Sequence, residues 1–88
     1  MIRKRVLISG RVQGVYFRDT CRRMARNSAV HGWVRNLPDG RVEAVFEGPT
    51  DQVDKLVRWA GRGPELALVT EVAVQEEPPE GLREFTVR

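Results

Sequence analysis

The apolar residues between Val6 and Ser28 change their period once, and that change fixes how a chain carrying them begins to fold. Val6, Ile8, Gly10 and Val12 lie on one face of an extended segment, whereas Phe17, Cys21, Met24, Ala25 and Ser28 recur at helical spacing. The run Gly10-Arg11-Val12-Gln13-Gly14-Val15-Tyr16-Phe17-Arg18 therefore reads as a strand that turns directly into a helix. At such a junction the first backbone N–H groups have no intrahelical partner and together carry a partial positive charge of roughly half a unit. A phosphate satisfies them. Gly14 lets the main chain approach a ligand closely or take a positive φ, and Arg18 brings a planar fork of donors suited to phosphate oxygens. Taken alone, a glycine turn of this kind is common, and Arg18 reads more simply as a solvated helix residue.

Eighty-eight residues predict one small domain, 1–88, near the lower range of independent stability. A hydrophobic content of 41% with a charged fraction of 31% argues for a folded globule with a well-solvated surface rather than for disorder. Cys21 is the only cysteine, so no internal disulfide forms, and its helical position suits a small buried apolar residue. One Cys and one His leave too few ligands for a zinc site. The apolar run after Arg3, Lys4 and Arg5 is too short for a secretory signal, and no run reaches membrane-spanning length. The expectation is a cytoplasmic protein without a membrane partner. The net charge of +3 conceals an asymmetry: residues 1 to 41 carry a balance of +8, and residues 42 to 88 a balance of −5. The positive half contains the turn, which fits an anionic ligand, although charges also scatter unevenly in any short chain.

The remaining pattern predicts a strand at 3–12, a helix at 17–28, a strand at 30–36, a turn at 37–40 and a strand at 41–48. Leu37-Pro38-Asp39-Gly40 is hairpin chemistry. Val42, Ala44 and Phe46 alternate with Glu43, Val45 and Glu47, as in a sheet with one face on a core and the other partly wet. A second helix follows Gly48-Pro49, with Thr50 as its expected N-cap, Asp51 in its first turn and Val53, Leu56, Val57 and Ala60 on its apolar face. Gly61 and Gly63-Pro64 end it, a β-rich run occupies 66–75, and a short last strand near 83–87 should bury Phe85 and Val87. This order predicts an α+β, ferredoxin-like sandwich of split βαβ units, an antiparallel sheet with two helices on one face. In that fold the first and second strands run in the same direction with the third between them. The turn at Gln13 to Arg18 and residue 36 then meet at one sheet edge, two strand spacings of roughly 4.8 Å apart.

The second strand ends Gly32-Trp33-Val34-Arg35-Asn36, with Gly40, Val42 and Gly48 soon after. On its own Asn36 reads as turn chemistry before Pro38. Beside a phosphate cradle, its carboxamide can accept a hydrogen bond from a water and donate to a phosphoryl or carbonyl oxygen. The two segments together resemble both signatures of the acylphosphatase family, and the resemblance covers essentially the whole chain. It implies a ferredoxin-like fold, a small acyl phosphate as substrate, and neither a metal nor a cofactor. It also implies that Arg18 binds the phosphate, that Asn36 orients the catalytic water, and that Gln13, Gly14, Val15, Tyr16 and Phe17 form the cradle of backbone N–H groups. One departure is that Asn27-Ser28-Ala29-Val30 stands where many relatives carry Leu-Gly-Leu, remote from the motif residues.

Such chemistry needs few side chains. The leaving group of an acyl phosphate is a carboxylate with a conjugate-acid pKa near about 4 to 5, so no general acid is required. Transfer through a loose transition state gains most from positioning and from stabilising charge on the phosphoryl oxygens. His31 has no sequence partner and reads as a surface strand residue, Asp19 as a helix-dipole residue, and Tyr16, Phe17, Trp33 and Phe46 as core or site wall. The main alternative is a non-catalytic anion- or RNA-binding module of the same fold. The third strand lacks the basic-aromatic run of such modules and carries Glu43 and Glu47, so no nucleic acid partner is expected. A further alternative is a domain acting on carbamoyl phosphate within a larger maturation protein. Chain length favours a stand-alone enzyme, expected to act as a monomer.

Overall fold

The computed structural model describes all 88 residues. The period-two segments become β1 (Ile2–Arg11), β2 (His31–Asn36), β3 (Val42–Gly48), β4 (Leu68–Glu77) and β5 (Phe85–Val87), and the helical spacings become α1 (Phe17–Asn27) and α2 (Thr50–Ala60). They form one five-stranded sheet in the order β4-β1-β3-β2-β5. β1 and β2 each pair antiparallel with β3 between them, as the ferredoxin-like order requires. Both helices cover one face, where Phe17, Cys21 and Ala25 of α1 and Val53, Leu56 and Ala60 of α2 meet Val6, Ile8, Val34, Val42, Ala44 and Phe46. No helix is long and apolar enough to cross a membrane.

Three local expectations change. The sheet is not wholly antiparallel, because β5 pairs parallel with β2, and of its two apolar residues only Phe85 is buried while Val87 is 38% exposed. Thr50 is not the cap of α2; Pro49 holds that position with no side-chain cap bond, and its carbonyl takes the N–H groups of Gln52 and Val53. The third change is larger. The face of β3 expected to be partly wet is dry, with Glu43, Val45 and Glu47 all buried.

Cross-strand charge pairing explains that dry face. Arg3 and Glu47 are opposite each other in register and bond at 2.7 Å, with side chains only 4% and 2% exposed. Arg3 also reaches Glu77 at 3.0 Å and Glu80 at 3.4 Å, while Arg5 bridges Glu43 at 2.8 Å and Glu77 at 2.7 Å. Arg35 closes on Glu43 at 2.6 Å. Trp33 lies among the guanidinium groups of Arg5, Arg35 and Arg88, 4.4 to 5.5 Å from its ring centre. Burial alone would raise the Glu47 pKa. The Arg3 bond and the backbone N–H groups of Glu80 and Leu82 outweigh it and hold that pKa below the usual carboxylate value. Glu43 is held low likewise, burial being overcome by Arg35 and Arg5.

Gly32 is needed for close packing rather than for a turn. Its φ is 140°, and a Cβ there would overlap the backbone carbonyl of Val45 on β3. This close approach sets β2 against β3 four residues before Asn36, so the register that carries Asn36 is fixed by main chain.

Candidate active site

Residues 13 to 16 leave β1 in an irregular turn whose handedness reverses twice, at Gly14 with φ 74° and at Tyr16 with φ 66°. A left-handed tyrosine costs on the order of 1 kcal/mol, so its surroundings must impose it. They do so through its neighbours: Val15 and Phe17 are buried, and Phe17 packs on Trp59 with ring centres 5.0 Å apart. Two buried anchors flank Tyr16, which is 73% exposed. A Cβ at Gly14 would meet nothing within 4 Å, so glycine serves there for its positive φ.

The result is a row of unpaired donors. None of the backbone N–H groups from Gln13 to Arg18 donates to a protein acceptor, and the helical ladder begins with Thr20 N to Tyr16 O at 3.1 Å. Turns of this kind gather N–H groups into an anion-binding concavity at the positive end of a helix. Arg18 is exposed and pairs with no carboxylate, because the adjacent Asp19 is taken by Arg22 at 3.2 Å. With Asp19, Arg22 and Val87 it lines an open cavity of about 240 Å³.

Asn36 ends β2. Ile8, Val42 and Asn36 stand in register across β1, β3 and β2, so Asn36 lies two strands from β1, as the topology requires. It shares the helix-covered face with Val34, which pairs with Val87, a wall of the Arg18 cavity. Its Oδ1 is buried and without a hydrogen-bond partner, the single such side-chain atom in the molecule. A buried acceptor left unpaired costs roughly 1 to 3 kcal/mol, which marks the position as one where stability yields to another demand.

The cradle and Asn36 are joined by a contact that sequence reasoning missed. The Gln13 carboxamide donates through Nε2 to the carbonyl of Leu37 at 2.8 Å and to that of Arg41 at 3.0 Å. Gln13 thus belongs to the site twice, by its backbone in the cradle and by its side chain on the turn after Asn36. No local signal announces a bond spanning 24 residues.

Much of the positive excess of the first half is consumed structurally, since Arg3, Lys4, Arg5 and Arg35 pair with Glu47, Asp54, Glu77 and Glu43 of the second half. Arg18 stands outside those pairs. His31 is half-buried rather than a free surface residue, with Nδ1 2.8 Å from the Leu82 carbonyl, on the strand end opposite Asn36. Cys21 is buried, and burial pushes its thiol pKa up, away from nucleophilic use. Trp33 belongs to the ion-paired face, and Phe46 to the core.

The acylphosphatase family model matches residues 4–87. An acylphosphatase of Rubrobacter xylanophilus is 61% identical over 87 residues, which are 98% of this chain and 79% of that protein. The crystal structure of acylphosphatase from Bacillus subtilis superposes with a TM-score of 0.96 at 36% identity, covering 100% of this chain and 99% of that one. An acylphosphatase from Coxiella burnetii superposes with a TM-score of 0.94 at 39% identity, over 99% of this chain and 92% of that one.

Proposed function

This chain belongs to the acylphosphatase family, and on that premise we propose that it hydrolyses the carboxyl–phosphate bond of small acyl phosphates, with Arg18 and the Gln13–Arg18 backbone binding the phosphoryl group and Asn36 orienting the water. The buried, unpartnered Oδ1 of Asn36 carries the reading. An acceptor in that state beside a row of free N–H donors is suited to take the hydrogen of a water while the donors hold three phosphoryl oxygens.

The division of labour follows from charge. Arg18 and the N–H groups neutralise negative charge that spreads over the phosphoryl oxygens in a loose transition state. Asn36 accepts a hydrogen bond from the water, whose lone pair is then directed at phosphorus and whose hydrogen-bonded O–H stays on the new phosphate. The departing carboxylate is stable as an anion, so neither a general acid nor a metal is required, and the water's second proton passes to a phosphate oxygen of the substrate. Val15 and Phe17 act through their main chain, since their side chains are in the core, and Gly14 and Tyr16 contribute backbone N–H groups beside them.

The same reading has the enzyme working as a single copy in the cytoplasm on a small molecule. Against the RNA-binding alternative stands the outer sheet face, where ion pairs and Trp33 under its arginines occupy the surface on which bases would stack. The test is phosphate release from acetyl phosphate, with a phosphomonoester as control and a chelator present, for the unaltered chain and Arg18→Ala. Selective, chelator-resistant hydrolysis that Arg18→Ala removes is the expected outcome. Equal hydrolysis of the monoester, or loss of activity with chelator, contradicts it.

A further inference from the structure

We propose that the Gln13 side chain is a positioning residue that sets Asn36 at a fixed separation from the phosphate cradle, by tying together the ends of the three central strands. This rests on the reading of Asn36 as the group that orients water. Gln13 is the second residue after β1, Leu37 the first after β2, and Arg41 the last before β3. One carboxamide therefore reaches from the first strand to the end of the second and the start of the third, at 2.8 and 3.0 Å.

The contact is saturated at both ends. The Leu37 carbonyl also accepts the Gly40 N–H at 3.1 Å, and the Arg41 carbonyl also accepts the Leu37 N–H at 2.8 Å. Each carbonyl oxygen thus uses both lone pairs, and the Gln13 amide uses both of its N–H groups. That leaves Gln13 no side-chain donor for phosphate. Its contribution to binding is main-chain, and its side chain is committed to geometry.

Nothing else ties these two parts in the same way. Among residues 12 to 18, Gln13 alone makes a side-chain hydrogen bond. Val12, Val15 and Phe17 anchor the cradle downward into the core, while the turn beyond Asn36 exposes Pro38, Asp39 and Gly40 and has no buried apolar anchor of its own. The turn is stiffened internally by Asp39, which accepts the Arg41 N–H at 3.1 Å and pairs with the Arg41 guanidinium at 2.8 Å. The β2–β3 pairing and this stiffness fix the turn relative to its own hairpin; the Gln13 amide ties that hairpin end to the cradle. Attack by a water needs its oxygen within a few tenths of an ångström of the productive line, and a misplacement of about 1 Å can cost roughly 100-fold in rate.

The experiment measures kcat and KM for acetyl phosphate and the inhibition constant of orthophosphate. It compares the unaltered protein with Gln13→Met, Gln13→Glu, Asn36→Ala and the double variant Gln13→Met/Asn36→Ala. Methionine keeps the length of the side chain and removes both donors. The expected result is a fall in kcat of about 10- to 100-fold for Gln13→Met with orthophosphate inhibition little changed. In the Asn36→Ala background the same substitution should lower kcat little further, because the residue through which it acts is gone. Gln13→Glu should recover kcat relative to the unaltered protein as pH falls from neutrality towards 4, since a protonated carboxyl donates one of the two lost bonds.

A merely structural role gives equal losses in both backgrounds and no pH-dependent recovery, and either finding overturns the proposal. So does weaker orthophosphate inhibition with kcat unchanged, which would assign Gln13 to phosphate binding. If Asn36→Ala itself retains full kcat, the water-orienting reading fails. If Asn36→Ala is impaired and Gln13→Met is not, the positioning role alone fails.

Discussion

The two faces of the chain's arginine content behave in opposite ways. On the outer sheet face Arg3, Arg5 and Arg35 each meet glutamates at 2.6 to 3.0 Å, and Glu47 is further satisfied by the N–H groups of Glu80, Gly81 and Leu82. At the edge where β1 enters α1, Arg18 has no carboxylate, six successive N–H groups have no acceptor, and a buried Asn36 oxygen has no donor. The same residue type is consumed in ion pairs in one place and left without a counter-charge in the other. What separates them is whether the chain supplies the counter-charge. A satisfied arginine costs a ligand its own displacement, whereas an unsatisfied one is already arranged for an anion.

That contrast breaks first at its two arginines. Arg3→Ala leaves Glu47 buried without its main partner and should destabilise the fold by about 3 kcal/mol or more, seen as a lower denaturation midpoint with kcat/KM of the folded protein unchanged. Arg18→Ala should do the reverse, lowering kcat/KM by about 2 to 5 kcal/mol in transition-state binding while the denaturation midpoint stays put. Lysine at 18 should restore only part, because a point charge lacks the planar fork. A stability loss at Arg18 comparable to that at Arg3 would erase the distinction.

Asn36→Ala tests the site from its other side. It should lower kcat roughly 10- to 100-fold and leave orthophosphate inhibition intact, the signature of an interaction made in the transition state. It should also cost little stability, since the atom removed is unpaired. Unchanged kcat with weaker substrate binding would contradict the water-orienting role.

The outer face carries a pH dependence of its own. Glu43 and Glu47 have folded-state pKa values below the ordinary carboxylate value: burial opposes this, but their arginine bonds prevail. Glu77 is also held low, by Arg5 first and then Arg3. A depressed carboxylate contributes stability that is fully present above its unfolded pKa and is lost as pH falls through the folded one. Thermal midpoints should therefore hold near neutrality and drop below about pH 4, less steeply in Arg3→Ala. A profile flat down to pH 2 would mean the network adds nothing to stability.

The smallest effect concerns strain. Tyr16 at φ 66° and Ala29 at φ 54° are the two left-handed residues other than glycine, one in the cradle and one after α1. Ala29→Gly should stabilise the fold by about 0.5 to 1 kcal/mol, the left-handed penalty less the entropy of a new glycine, with kcat unchanged. Ala29 thus holds, at the end of α1, a backbone conformation that glycine favours.

What was legible in the sequence depended on what each feature rests on. The element order, the antiparallel pairing of β1, β3 and β2, and the meeting of residue 36 with the Gln13 turn follow from periodicity and topology, and the structure has them. The turn with its free N–H groups was legible because it is local: a glycine, a strand and a helix start in nine residues. The dry face of β3 was not, since Glu43 and Glu47 read as solvent-facing until Arg3, Arg5 and Arg35 on neighbouring strands neutralise them. The charge asymmetry hinted at this, because opposite halves of the chain pair across the sheet, but it reads equally as a field for a ligand. The Gln13 bond to Leu37 and Arg41 is tertiary throughout and left no trace in spacing.

The most direct measurement of the contrast is an orthophosphate titration followed through backbone amide resonances. A binding edge made of unsatisfied donors requires saturable shifts concentrated on the N–H groups of Gln13 to Arg18, which Arg18→Ala removes and Arg35→Ala leaves intact. Shifts centred instead on Trp33, Arg35 and Arg88, or cradle shifts that persist without Arg18, would contradict it.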